Sequence, residues 1–183
     1  MSNINNFLIS EPKWVAIEHS DSLLVPAVVD DWLQESGSLT LRMKNSLNGD
    51  FDVSVEGEGF SSAFSEDADK LQQNPQDKMF IREVILSMSD KPHVFARTTI
   101  PEGSLQSLQQ LATLGKKPLG EVIFSYPELI RTSLDIAKIA AQHLVPRVVI
   151  MLGKENAIWA RRSVYDIKGH RFIVSEFFLP VMF

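Results

Sequence analysis

"MFIREVILSMSDKPHVFARTTIP", residues 79–101, is the stretch whose reading decides the fold. Two runs rich in β-branched and aromatic residues flank the turn signal "SDKP", which is the pattern of a β-hairpin, and Pro101 marks its exit. Each run carries one arginine, Arg82 and Arg97, and a guanidinium is costly to bury unless an anion meets it. With the turn centred near Ser89 and Asp90, the two arginines lie nearly opposite each other and both can reach one face of the sheet. They are then either surface charges matched by carboxylates such as Glu83 or part of an anion site, and spacing leaves both open.

Working outward, "DFDVSVEGEGF" places Phe51, Val53 and Val55 on one face of a further strand. The polar, acidic residues 61–78 read as a solvated loop with a short helix. Val28, Val29, Trp32 and Leu33 have helical spacing up to a break at Gly37, whereas "LTLRMKNSL" fits helix or extended chain. After the hairpin, Leu105, Leu108, Leu111 and Ala112 predict a helix with Ser104 as N-cap and Gly115 as terminator. "YPELIRTSLDIAKIAAQHL" predicts a longer helix with Leu129, Ile130, Leu134, Ala137 and Ile139 inward and Pro146 at its end. "RVVIMLGKE" fits a buried strand or a helix. "WARRSVYDIKGHRFIVSEFFLPVMF" predicts a second hairpin turning at Lys168 and Gly169. Hairpins joined through helical segments indicate an α+β fold with an antiparallel sheet, helices on one face and the other face available for a site.

The 183 residues suit one domain, 1–183, since single domains commonly hold roughly 100–200 residues. A net charge of -5 gives no general attraction for nucleic acid or an anionic membrane, so an anionic ligand must be drawn in by a local arginine cluster. The absence of cysteine excludes a disulfide scaffold, a thiolate nucleophile and a Cys-based zinc site, and fits a reducing compartment. "MSNINNFLIS" lacks the marks of a signal peptide and no apolar run is long enough to span a bilayer, so a soluble cytoplasmic protein is expected.

The histidines, His19, His93, His143 and His170, never fall three or four residues apart, which argues against a metal site. "GKKPLG" is no phosphate loop, because Glu121 follows its second glycine, and no serine elbow is present. Arg161 and Arg162 are adjacent, so on a strand at most one joins an inward site, the other being expected in solvent. Glu176, in the apolar run "FIVSEFFLP", must find a partner or take up a proton; it is either in a structural ion pair or part of a pocket.

"WLQESGSLT", "REVIL", "ARTTIP", "LGKKPLGEVIF", "WARRS" and "SEFFLP" together, in this order from Trp32 to Pro180, resemble the signature segments of the chorismate lyase family. The family forms 4-hydroxybenzoate and pyruvate from chorismate, for ubiquinone synthesis, on one antiparallel sheet with helices and an enclosed ligand site. The resemblance implies that Arg82 binds the ring carboxylate, that the Leu119 N–H joins it, that Leu39 adds a backbone contact, and that Glu176 meets the hydroxyl end of the ring. Arg97 is then a candidate for the enolpyruvyl carboxylate or the leaving oxygen. No metal or other cofactor is implied, and a monomer is the simplest expectation. "QHLVPRVVIMLGKEN" reads as an addition to the family pattern. Two alternatives carry a different function: another chorismate-converting enzyme, or a ligand-sensing domain of the same fold, which normally follows a DNA-binding module for which about 25 residues before the first matched segment leave too little room.

Overall fold

The computed structural model describes residues 4–183; Met1, Ser2 and Asn3, the start of the stretch read for a leader, lie outside the described residues. In chain order the elements are β1 (Val15–Ala16), α1 (Ala27–Leu33), α2 (Leu39–Ser46), β2 (Phe51–Ser61), α3 (Ser65–Lys70), β3 (Met79–Met88), β4 (Lys91–Pro101), α4 (Gln109–Ala112), α5 (Leu119–Ile123), β5 (Leu129–Ala140), α6 (Pro146–Met151), β6 (Ala157–Ile167) and β7 (His170–Phe178). The strands form one seven-stranded antiparallel sheet in the order β1-β5-β6-β7-β4-β3-β2. This is the α+β fold expected from the hairpins.

The hairpin β3–β4 turns at Ser89 and Asp90, both with positive φ, so the placement of the turn is as read from the sequence. Its register is not. Next to the turn Met88 faces Lys91 and Ser87 faces Pro92, but Leu86 faces Val94, so His93 is an extra residue in β4. This bulge shifts all later pairs by one: Arg82 faces Thr98, and Arg97 faces Glu83. A shift of one residue moves a side chain to the other face of a sheet. Arg82 and Arg97 therefore point to opposite faces, which corrects the expectation that they share one.

Residues 129–140, expected as a helix, are β5, paired with β6 along its length. Local helical spacing loses here to cross-strand pairing, which buries Asp135, Ile136 and Ala137 in succession and sets Asp135 against Arg162. The helix expected from Ser104 is broken into a 3-10 turn and the short α4. Bonds from residue i to i−3, such as Leu111 N–H to Leu108 O, tighten the chain while still burying Leu108 and Leu111. "LTLRMKNSL" resolves as α2, capped by Ser38, and "RVVIMLGKE" as α6, with Pro146 at its start.

Both faces of the sheet are covered, so β3, β4, β6 and β7 are buried almost throughout. One face packs Trp32, Leu33, Leu39 and Met43 of α1 and α2 over Val84, Leu86 and Phe178, with α5 beside them over Tyr165, Phe172 and Val174. The other carries Phe7, Leu8, Val148 and Leu152 over Ile85, Phe95 and Phe177, and Ala68 and Leu71 over Ile81 and Ile173. The second face also holds a row of charge. Asp135, Arg162, Ser175, Arg97 and Glu83 are successive cross-strand partners from β5 to β3.

Arg162, expected in solvent, is only 1% exposed. It bonds Asp135 Oδ2 at 2.8 Å and Asp67 Oδ1 at 2.9 Å and lies under Trp14. Arg97 bonds Glu83 at 2.6 Å and the Ile4 carbonyl at 2.7 Å, while the Asn6 N–H donates to the same Glu83, so this pair fastens the amino-terminal segment.

Removing the cation from a buried ion cluster leaves uncompensated charge, so Arg162→Met should cost about 3–5 kcal/mol in urea unfolding. Burial pushes the Asp67 carboxyl up, ahead of the lowering by Arg162. Because its folded pKa is raised, its contribution to stability is full at acid pH and is lost as pH rises through that folded value. Asp67→Asn should therefore gain stability relative to the parent as pH rises above the ordinary carboxylate range, as measured by urea midpoints.

Candidate active site

On the face with α1, α2 and α5, side chains from β2, β3, β4, β6 and β7 line a cavity with about 530 Å³ of atom-free space, its mouth included. The site thus lies between helices and sheet, not on a helix-free face. Val53, Val84, Leu86, Ala96 and Val174 make the floor apolar, and Pro118, Leu119, Ile123 and Phe124 close one side. Leu39 begins α2 and Leu119 begins α5, so their N–H groups have no partner within their helices, and both residues line the cavity.

Three charged groups line this space: Arg82, Arg161 and Glu176. Arg82 is 2% exposed; its Nη2 donates to Gly115 O at 2.6 Å, and its Nε lies 3.2 Å from Glu58 Oε2. That approach is an ion-pair contact that does not satisfy Nε–H as a hydrogen bond. Burial lowers the pKa of Arg82, and Glu58 opposes the shift. Such a cation has unused capacity for an anion at the cavity.

Glu176 sits directly across from Arg161 on β6 and accepts a hydrogen bond from its Nε. Both readings of Glu176 meet in one residue, because it makes a buried ion pair and lines the cavity. For Arg161, burial opposes the charge, but Glu176 outweighs it and the pKa rises. A second donor, Nη1, reaches the carbonyls of Glu35 at 2.8 Å, Trp32 at 3.2 Å and Leu33 at 3.3 Å. A cation at the carboxyl end of α1 is well placed against the helix dipole.

Four residues singled out from the sequence, Arg82, Leu119, Leu39 and Glu176, thus surround one cavity, and Arg97 does not. Its guanidinium lies on the opposite face with Glu83, because of the bulge at His93. Arg161 and Tyr165 are the lining groups the sequence reading left without a role. Period-two alternation from Arg161 through Ser163 to Tyr165 puts both on the inner face, and that was their signal. Burial raises the Tyr165 phenol first, with Glu176 adding to the effect, and the ring stacks on Phe172 at 5.6 Å. Among the described residues no cluster of His, Cys, Asp or Glu is suited to hold a metal ion, and no helix is long and apolar enough to cross a membrane.

The family model for chorismate lyase matches residues 10–183. A probable chorismate pyruvate-lyase of Methylococcus capsulatus is 35% identical over 84% of this chain and 96% of its own length. A chorismate pyruvate-lyase of Hamiltonella defensa is 31% identical over 98% of this chain and 92% of its own. Among solved structures, a GntR-family transcriptional regulator from Enterococcus faecalis aligns at TM-score 0.53 and 17% identity, over 74% of this chain and 95% of that one. The ligand-binding domain of a putative GntR-family regulator from Bordetella bronchiseptica gives TM-score 0.53 at 20% identity, over 72% and 84%. These two structures share the fold.

The helices over the cavity touch at Gly120, where a Cβ would come within 2.6 Å of Ser38 Oγ, the cap of α2. Gly120→Ala should displace that cap and cost about 1 kcal/mol, read as a lower midpoint in thermal unfolding.

Proposed function

The chain belongs to the chorismate lyase family, and from that premise we propose that it removes pyruvate from chorismate to give 4-hydroxybenzoate, the entry to ubiquinone synthesis, in the cytoplasm. The observation that carries this reading is the cavity itself. A buried arginine and a buried carboxylate occupy separate strands of a mostly apolar floor, which suits an aromatic ring with an acid at one end and a hydroxyl at the other.

The reaction asks for little covalent chemistry. The C3–O bond of chorismate breaks and its electron pair leaves with the enolpyruvyl oxygen. The C4–H bond supplies the electrons that complete the aromatic ring, and its proton is matched by the one that enters the methyl group of pyruvate when the enol becomes a ketone. Aromaticity supplies much of the driving force. The protein has to hold the dianion in a reactive conformer, exclude water and stabilise charge on the departing oxygen.

Arg82 takes the ring carboxylate in this reading, with the Leu119 N–H beside it and the Leu39 N–H as a further backbone donor. Glu176 orients the C4 hydroxyl. Arg97 has no part, since it lies under the sheet, and the two cations available to a dianion at the cavity are Arg82 and Arg161.

Incubating the protein with chorismate should produce the absorbance of 4-hydroxybenzoate without added cofactor; binding without conversion would favour a ligand-sensing domain instead. Arg82→Ala should abolish calorimetric binding of 4-hydroxybenzoate with an unchanged circular dichroism spectrum, and unchanged affinity would remove Arg82 from the site. Glu176→Gln should lower kcat about 100-fold if the carboxylate moves a proton, whereas near-normal turnover across pH limits it to hydrogen bonding.

A further inference from the structure

Arg161 joins two parts of the cavity that the chain keeps far apart. Its Nε meets Glu176 on the floor, while Nη1 meets the carbonyls of Trp32, Leu33 and Glu35, where α1 runs into the loop of residues 34–38. That loop leads directly to Leu39. Glu35 is its knot: the carbonyl accepts from Arg161 and, at 2.9 Å, from Arg131 of β5. Its side chain accepts the Gly37 N–H at 2.7 Å and contacts Arg42 of α2 at 3.2 Å. Gly37 itself lines the cavity.

We propose that Arg161 is a positioning residue for the reaction: it holds Glu176 in place at the cavity while fixing the loop that presents Gly37 and the Leu39 N–H. This deepens the chorismate reading and rests on it. A planar guanidinium can do both because its Nε and Nη1 donors diverge; an ammonium is a single point charge and can serve one partner set only partly. Arg161 lies 1% exposed, so each donor bond is made without competition from water. The charged or titratable groups that face the pair are Tyr165 on β6, Arg131 on β5, Glu35 at the end of α1 and Arg82 on β3.

Three variants separate the two duties. Arg131→Met loosens Glu35 from the half-exposed side and leaves the floor pair intact. It should raise KM for chorismate about tenfold and speed amide hydrogen exchange at Gly37 and Leu39 by about tenfold, with the acid limb of kcat/KM unmoved. Arg161→Met should lower kcat about 100-fold and move that acid limb to higher pH, because a buried carboxylate without its cation takes up a proton more readily. Arg161→Lys should restore the limb toward its original pH but keep the raised KM and fast exchange. Unchanged exchange at Gly37 and Leu39 in both Arg131→Met and Arg161→Lys overturns the proposal, as does an unmoved acid limb in Arg161→Met. Should Arg161→Met fail to fold, the exchange of the other two variants decides alone. Exchange needs no turnover, so a wrong substrate assignment appears as an inactive parent with the exchange pattern still present, and a wrong role for Arg161 as an active parent with no exchange difference.

Discussion

One extra residue in β4 sets which side of the sheet each central charge faces. His93 is inserted between the turn and the long paired part of the hairpin, and its carbonyl accepts the Leu179 N–H at 2.9 Å, so the bulge is also tied to the end of β7. Every residue beyond it pairs in the shifted register. Arg82 therefore reaches the cavity, Glu83 and Arg97 meet beneath the sheet, and Ala96 rather than Arg97 lies between Val84 and Glu176 on the cavity floor. Without that insertion a second cation would stand beside Arg82 and the amino-terminal segment would lose its fastening.

The two faces use buried charge in different ways. Beneath the sheet, the arginines are matched by acids across strands, with Asp67 of α3 completing the coordination of Arg162. Such clusters contribute modest net stability, yet they penalise any register or helix position that leaves one member unmatched. Above it, Arg82 and Glu176 border a cavity with largely apolar walls, and Arg82 Nε makes only an ion-pair contact with Glu58. Arg97 Nε beneath the sheet also lacks an acceptor, so the cavity beside Arg82 and Glu176, and not hydrogen-bond saturation alone, marks where a ligand belongs.

Much of this was legible in the residues. Alternation and turn chemistry located both hairpins, and adjacency alone placed Arg161 and Arg162 on opposite faces. The ordered segments gathered Arg82, Leu119, Leu39 and Glu176, which the fold then brings around one cavity. What escaped was set by partners distant in the chain. A bulge of one residue leaves no compositional trace, so Arg97 was placed on the wrong side. In β5 the apolar spacing also fits a helix, and only the pairing with β6 makes it a strand. Arg162 reads as a surface cation until Asp67 and Asp135, both far from it in the chain, fold against it.

The order of the strands has a consequence for association between molecules. One border of the sheet, β1, is two residues long, and the other, β2, has a break in its register between Val55 and Gly57 and carries glutamates at 56 and 58. The irregular, acidic border at β2 is a poor template for strand addition, because an incoming chain finds neither a straight ladder nor a neutral surface. The pattern that shapes the sheet for its ligand also discourages it from growing into a neighbour.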